Sequence, residues 1–270
     1  MARRMIPIAL LGIPTDLASS FRRGAAGAPA AIRAEWARAA DYSNRTTEDG
    51  TDLGQPGLLH DAGDVSLPAD EAAARTAIAD AAFAQLHAGH RLLSLGGDHA
   101  ITYPLLQAVH RAVGTVDVVH LDAHPDLYPD FEGNRFSHAC PFARALEDGL
   151  IGRLVQLGLR TQNAVQQAVA ERHGVEQVIM ASWRLPRLEF TRPVYISLDL
   201  DVLDPAFAPG VSHPEPGGLS VREVLGVLQR IEGRIVAADL VEYNPDHDHH
   251  GATAVVAVKL LKELAACLAR

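Results

Sequence analysis

The stretch Val116-Asp117-Val118-Val119-His120-Leu121-Asp122-Ala123-His124-Pro125-Asp126 decides how the chain is read. Its first half is a short, β-branched apolar run of the kind that forms a buried strand. Its second half places two carboxylates and an imidazole directly after that strand. Two other runs end in the same way: Gly96-Gly97-Asp98-His99 follows 91–95, and Asp199-Leu200-Asp201 closes 193–199. Three acidic strings at three strand ends supply six potential ligands of hard or borderline metals: His99, Asp122, His124, Asp126, Asp199 and Asp201.

Working outward, residues 6–13, 153–158 and 235–241 read as further buried strands, alongside 91–95, 116–122 and 193–199. All are short, apolar and ended by Gly, Pro or Asp. Between them lie 28–40, 69–88, 102–113, 164–173, 221–231 and 252–269, each spaced as an amphipathic or buried helix. Ser220 with Glu223 three residues on forms a capping box for the fifth, and Gly174 and Gly233 are stop signals. Strand and helix alternating from end to end predict an α/β fold of three layers, a central, mostly parallel β-sheet flanked by helices. No linker, repeat or low-complexity tract divides the 270 residues, so one domain over 1–270 is expected. The longest irregular pieces are 41–55 and 125–137, and the second follows an acidic string directly.

Lys plus Arg number 24 against 33 for Asp plus Glu, a formal charge of −9 with no basic stripe. That balance argues against nucleic acid or an anionic membrane as partner. It suits a cationic substrate, although acidity also serves solubility alone. Cys140 and Cys267 are too few and too scattered for a disulfide framework or a thiolate zinc site. Pro7, Gly12 and Pro14 interrupt the opening apolar stretch, so neither a signal-peptide core nor a membrane span is visible, and a cytoplasmic location is the expectation.

Ligands of an open parallel sheet bind beyond the carboxyl ends of its strands. Residues two apart in extended backbone share a side, so Asp122, His124 and Asp126 are expected to converge, as are Asp199 and Asp201. Four carboxylates crowded together would repel and drive several pKa values upward, whereas two divalent ions would neutralise them. Oxygen and nitrogen ligands without thiolate suit Mn²⁺ first, and less specifically Ni²⁺, Fe²⁺ or Zn²⁺. Two such ions roughly 3.5 to 4 Å apart can share a water and present it as hydroxide to an electrophilic carbon. The Gly96-Gly97 pair lacks the third glycine of a dinucleotide fingerprint and is expected to let backbone approach the metal site. His120 reads as a buried, hydrogen-bonded residue, and Asp246-His247-Asp248-His249-His250 as a solvated loop. Glu242 closes 235–241 on the same edge, where a free carboxylate can hold a cation by paired hydrogen bonds.

In order and spacing, Gly-Gly-Asp-His, Asp-Ala-His-x-Asp and Ser-x-Asp-x-Asp-x-x-Asp-Pro, the last at 197–205, resemble the ureohydrolase family of arginases, agmatinases and guanidino-acid hydrolases. The resemblance covers nearly the whole chain. It leans toward plant-type arginases in Ser20-Phe21, Ser43-Asn44-Arg45-Thr46-Thr47-Glu48, Phe131-Glu132-Gly133-Asn134-Arg135-Phe136-Ser137-His138-Ala139 and Asp204-Pro205-Ala206-Phe207-Ala208-Pro209-Gly210-Val211-Ser212-His213. It implies an arginase-like α/β fold, a dinuclear Mn²⁺ centre and a homo-oligomer, trimer or hexamer. His99, Asp122, Asp126 and Asp199 would hold one ion; His124, Asp122, Asp199 and Asp201 the other. Glu242 would anchor the guanidinium, His138 would shuttle protons at the mouth, and Asp126 or His138 would protonate the departing amine.

The end of the site that meets the substrate tail is less well marked. Animal-type arginases use a Ser-x-Gly-Asn-x-His loop there, whereas this chain has Gly133-Asn134-Arg135-Phe136-Ser137-His138, with different spacing. Asn134 and Ser137 are kept as candidate contacts. Asn163 can accept from an α-amino group and can cap 164–173, two roles that do not exclude each other, and Arg135 reads as solvated. The expected activity is hydrolysis of L-arginine to L-ornithine and urea. The alternatives are agmatine or a guanidinobutyrate-type acid as substrate and, more distantly, a formimino-group hydrolase or an inactive metal-binding homologue.

Overall fold

The computed structural model describes residues 6–40 and 45–270. The first five residues, and Ser43 and Asn44 of the plant-like string, lie outside the described residues. Eight strands form one sheet: β1 (Ile8–Ile13), β2 (Leu59–Asp64), β3 (Arg91–Gly96), β4 (Val116–Leu121), β5 (Ile151–Leu159), β6 (Glu176–Ile179), β7 (Val194–Asp199) and β8 (Ile235–Val241). Their order is β2-β1-β3-β8-β7-β4-β5-β6, and every neighbouring pair is parallel. The helices are α1 (Ala28–Ala40), α2 (Glu71–His87), α3 (Thr102–Val113), α4 (Pro141–Glu147), α5 (Ala164–His173), α6 (Val221–Gln229) and α7 (Ala252–Ala269).

Both faces of the sheet are covered, which is why its inner strands are apolar throughout instead of alternating. On one face Leu93, Leu95, Val119, Leu121, Ile196 and Leu198 pack with Ile32 of α1, Leu225 of α6 and Leu261 of α7. On the other, Leu92, Val116, Val118 and Tyr195 pack with Ile78 of α2, Leu105 of α3, Phe142 of α4 and Val169 of α5. The three-layer α/β architecture expected from the sequence, a central parallel sheet flanked by helices, is the one observed.

The strands carrying the acidic strings and Glu242 are contiguous, in the order β3-β8-β7-β4. Because all four run the same way, their carboxyl ends open on one edge, and the candidate site assembles there.

The two sheet edges and α4 are additions to the sequence reading. β2, Leu59-His60-Asp61-Ala62-Gly63-Asp64, is polar and largely exposed, as an edge strand can be, and β6 has only four residues. α4 is a seven-residue helix that begins with proline at its first position, so its period is too brief to register. α6 ends at Gln229, short of the expected 231, although Ser220 and Glu223 do form the capping box.

The glycine pair departs from expectation in a different way. A Cβ on Gly97 would lie 1.7 Å from the carbonyl oxygen of Thr15, and one on Gly96 would meet the side chains of Ile101 and Val241. Gly97 N–H donates to Ile13 O and Gly97 O accepts from Glu242 N–H, at 3.1 and 2.9 Å. The glycines therefore let β1, β3 and β8 close on one another, and the close approach is to protein backbone. Gly97→Ala should cost about 1–3 kcal/mol through overpacking, read from the urea midpoint. Gly226→Ala, in α6 with nothing near the added methyl group, should instead gain up to about 1 kcal/mol.

Candidate metal centre

His99 follows β3 in a 3₁₀ turn that leads into α3, and it is fully buried. Its Nδ1 lies 3.1 Å from Asp122 Oδ2, 3.1 Å from Asp126 Oδ2 and 3.2 Å from Asp199 Oδ2. None of the three is aligned as a hydrogen bond, so Nδ1 is buried without one. On the far side of the ring, Nε2 is 2.8 Å from Ser197 Oγ, whose own proton goes to Asp239 Oδ1 at 2.7 Å. Ser197 must then accept from Nε2–H, which makes Nδ1 of the neutral ring a lone pair. A lone pair facing three carboxylate oxygens lacks only a cation, so the residues fit a metal ion. In its absence a proton takes that place: burial opposes charge on the ring, yet the three carboxylates pull His99 well above the ordinary histidine range.

A second group adjoins the first. His124 Nδ1 is 3.3 Å from Asp122 Oδ1 and 3.0 Å from Asp201 Oδ2. Asp122 thus turns one oxygen to each imidazole. The second oxygen of Asp199 accepts from Asp201 N–H at 2.7 Å instead of facing His124. Burial together with the charges of Asp201 and Asp122 drives Asp199 well above the carboxylate range, and burial beside Asp122 lifts Asp201 to about 6. Asp122 moves the other way, held well below that range despite its burial by His120, His124 and His99.

Strand alternation is not what assembles Asp122, His124 and Asp126. β4 ends at Leu121, and Asp126 adopts φ +50, a left-handed conformation that costs a non-glycine residue roughly 1–2 kcal/mol. That conformation carries Asp126 to His99 while His124 goes to Asp201. Glu242, the first residue past β8, has φ +63 and is strained in the same sense. Its Oε1 accepts from the backbone N–H of His99 at 2.8 Å and lies 3.0 Å from His138 Nδ1, whereas Oε2 is buried with no partner. His138 is itself buried against the cavity, with Nε2 2.8 Å from Ser20 Oγ. Burial opposes its charge, but Glu242 pushes it up to about 9.

His124, Asp126, His138, Asp199, Asp201 and Glu242 border a cavity of about 320 Å³, walled further by Tyr128, Phe131, Thr161, Gln162 and His213; His99 and Asp122 lie buried behind them. Asn163 also lines it, but its Oδ1 caps α5 through Val165 and Gln166, each at 3.1 Å, and its Nδ2 donates to the Tyr128 hydroxyl. Both functional atoms are committed, so Asn163 as placed has no acceptor to offer an α-amino group. Asn134 and Ser137 are not brought to the cavity wall: Asn134 Oδ1 accepts from Phe136 N–H, and the Ser137 hydroxyl faces Ala18 O. Arg135 pairs with Glu147 on the surface. Asp248 caps α7 through Thr253 and Ala254, and His249 and His250 are exposed.

Ser20, Tyr128 and His213 are cavity residues that the sequence reading passed over. Ser20 and His213 both stand in the plant-like strings, but neither follows a predicted strand, so position gave no signal. The His213 ring centre is 5.2 Å from that of His138 and 6.0 Å from that of His124.

A parallel α/β sheet with carboxylates and imidazoles gathered beyond its carboxyl edge defines a metal-binding enzyme scaffold. Residues 6–267 match the model of the Arginase family. The mitochondrial arginase of Medicago truncatula is 44% identical over 97% of this chain and 82% of its own. The solved structure of the Medicago truncatula arginase superposes with a TM-score of 0.92 at 41% identity, covering 99% of this chain and 89% of that one. Arginase 2 of Arabidopsis thaliana, chloroplastic/mitochondrial, is 42% identical over 97% of this chain and 80% of its own. Proclavaminate amidinohydrolase of Streptomyces clavuligerus is 37% identical over 95% and 86%. The chain belongs to the arginase family and is a hydrolase of C–N bonds in linear amidines.

The same relatives correct the cytoplasmic expectation, since the plant arginases are named as mitochondrial or chloroplastic/mitochondrial proteins. That expectation rested on a missing apolar leader core and membrane span, and neither feature reports on organelle import. Among the described residues no helix is long and apolar enough to cross a membrane.

Charge crowding also sets how the metal-free protein responds to pH. Burial and Glu242 raise Asp98 from 3.8 to about 7, and Glu242 raises His138 from 6.5 to about 9 against its burial. Both groups bind a proton more tightly folded than unfolded, so their contribution is complete below the unfolded values and is lost as pH rises through about 7 and about 9. Chelator-treated protein should therefore melt several degrees lower at the upper end of that window than at its lower end. A thermal scan series that stays flat or climbs with pH contradicts this.

Proposed function

We propose that the chain is a dinuclear manganese amidinohydrolase that converts L-arginine and water to L-ornithine and urea. The observation that carries this reading is the convergence of three carboxylates on the His99 lone pair, beside the unpartnered Oε2 of Glu242. His99, Asp122, Asp126 and Asp199 hold one ion, and His124, Asp122, Asp199 and Asp201 the other. When bound, the ions supply Lewis acidity toward water and neutralise the carboxylates. The donor set, oxygen and imidazole without thiolate, supports Mn²⁺.

The chain's own groups do the rest. A guanidinium is charged at any working pH, so it must be oriented by a fixed acceptor, and Glu242 Oε2 is that acceptor. Its partner oxygen, tied to His99 N–H and His138, holds the carboxylate still. Attack by water on the guanidinium carbon requires that the proton lost by water reach the departing amine. Asp126 carries it, and His138, paired with Glu242, is the second group able to do so. Urea leaves with the former guanidinium carbon.

One domain over 1–270 belongs to this reading, supported by the single sheet. So does a homo-oligomer, trimer or hexamer, which rests on the family resemblance. Agmatine is the second reading, favoured by one observation: among the described residues lining the cavity there is no lysine or arginine to pair with a carboxylate tail.

The test is urea release by Mn²⁺-loaded protein from arginine, agmatine, guanidinobutyrate and guanidine, with formamide from a formimino substrate as the contrasting product. Arginine should be fastest; absence of urea from all four removes the assignment, and agmatine in first place reverses the order. Asp126→Asn should lower kcat by about 10²–10⁴ with the melting curve of a folded protein, and unchanged turnover contradicts its role.

A further inference from the structure

A row of polar side chains crosses the sheet directly beneath the candidate centre. Register pairs Gln177 of β6 with Gln156 of β5, Gln156 with His120 of β4, His120 with Ser197 of β7, Ser197 with Asp239 of β8, and Asp239 with Ser94 of β3. Partners in register share a face. Five of the six are completely buried, on the face where Leu92, Val118 and Tyr195 meet α2–α5. Burying polar groups there is unfavourable unless they are satisfied; Ser94 Oγ is left without a partner, and the hydrogen bonds of the other five report what the row is for. Asp122 and Asp199 stand two residues beyond His120 and Ser197, on the same side.

The direction of the bonds follows from one carbonyl. Pro125 O can only accept, and it lies 2.6 Å from Gln156 Nε2, which fixes the orientation of that amide. The same nitrogen is 3.0 Å from His120 Nδ1, and Gln156 Oε1 accepts from Gln177 Nε2 at 2.8 Å. Gln156 therefore donates to His120 Nδ1. The ring proton then sits on Nε2, which is 2.8 Å from Asp122 Oδ2. His120 keeps no lone pair for an ion, although it lies close enough to His99 and Asp122 to be taken for a ligand. From the other half of the row, Asp239 accepts from Thr102, Tyr195 and Ser197, which turns Ser197 into the acceptor for His99 Nε2–H.

We infer that this row is a positioning device for the metal centre, in which Gln156 sets the His120 tautomer so that His120 donates to Asp122 and holds its carboxylate with one oxygen toward each imidazole. The inference rests on the two-ion reading above. His120 and Gln156 are positioning residues that touch neither substrate nor ion. Without the His120 N–H, Asp122 keeps only the backbone N–H of His124, on Oδ1 at 2.6 Å, and is free to turn about that bond.

The test is calorimetric titration of the full chelator-stripped chain with Mn²⁺, alongside circular-dichroism melting. The wild type should take up two ions. His120→Leu should bind about 10–100-fold more weakly, the usual loss on removing an outer hydrogen-bond partner. His120→Gln, which restores an N–H donor, should stay much nearer the wild type. Gln156→Leu, which removes the donor to His120 Nδ1 and to Pro125 O but no proposed ligand, should lose about tenfold. Equal affinities for His120→Leu and His120→Gln mark a space-filling role and overturn the inference. Wild-type affinity in Gln156→Leu does the same, and decides the matter where His120→Leu fails to fold. A wild type that binds no ion overturns the two-ion reading and the inference with it.

Discussion

Four buried carboxylates within reach of two imidazoles at one sheet edge form the constraint on which the rest of the structure depends. Removing carboxylates from water disfavours their charge, and placing them side by side disfavours it again. Asp199 and Asp201 show the consequence, since both are driven up while Asp122 stays ionised among three histidines. Only positive charge shared among them relieves this. In the protein alone protons supply it, on His99 and His124 above all; divalent ions at the same lone pairs supply it more compactly. Metal binding and proton release are thereby one equilibrium.

The topology makes that crowding possible. Four neighbouring parallel strands, β3-β8-β7-β4, each lead at their end or within a few residues of it to a side chain of the site, His99, Glu242, Asp199 and Asp122 in turn. Parallel order requires helices on both faces, and at the strand ends between them the carboxylates are left only a few per cent exposed. The backbone strain at Asp126 and Glu242 is confined to the two points where a side chain must leave its strand direction to reach the site. Gly97 allows β1, β3 and β8 to close there, which seats the Glu242 backbone against that of Gly97.

Much of this is legible in the sequence because periodicity and strand ends are local signals. The six inner strands were visible as apolar runs, and α1, α3, α5 and α7 begin and end where their spacing predicts. β2, β6 and α4 were invisible because an exposed edge and a seven-residue helix leave little pattern. The candidate ligands do meet at strand ends as that rule expects, but Asp126 arrives through a left-handed residue that alternation does not anticipate. Long-range partners are the real limit. Ser20 lies 118 residues from His138, and Asn163 meets Tyr128 across 35, so neither the burial of His138 nor the commitment of Asn163 could be read from composition or spacing. The polar row was in view only as His120, whose partner Gln156, itself bonded to Gln177, lies on a strand further along the chain.

Charge makes the guanidinium end of the cavity specific and leaves the other end to weaker means. Acidic groups and Glu242 attract any small guanidinium compound, so they cannot by themselves separate arginine from agmatine. With no lysine or arginine on the described walls, a carboxylate tail must be met by neutral donors such as Gln162 and the Tyr128 hydroxyl, or by His213. Neutral donors discriminate when they are buried and would otherwise lie unpaired, because an analogue lacking the carboxylate then leaves them unsatisfied. The Tyr128 hydroxyl already receives a hydrogen bond from Asn163, which caps α5. Tyr128 is thereby held by a helix terminus, and a phenol so placed presents its remaining proton in a fixed direction. The direction of that proton is thereby set by the packing of α5 against the loop after β4, away from the clustered carboxylates.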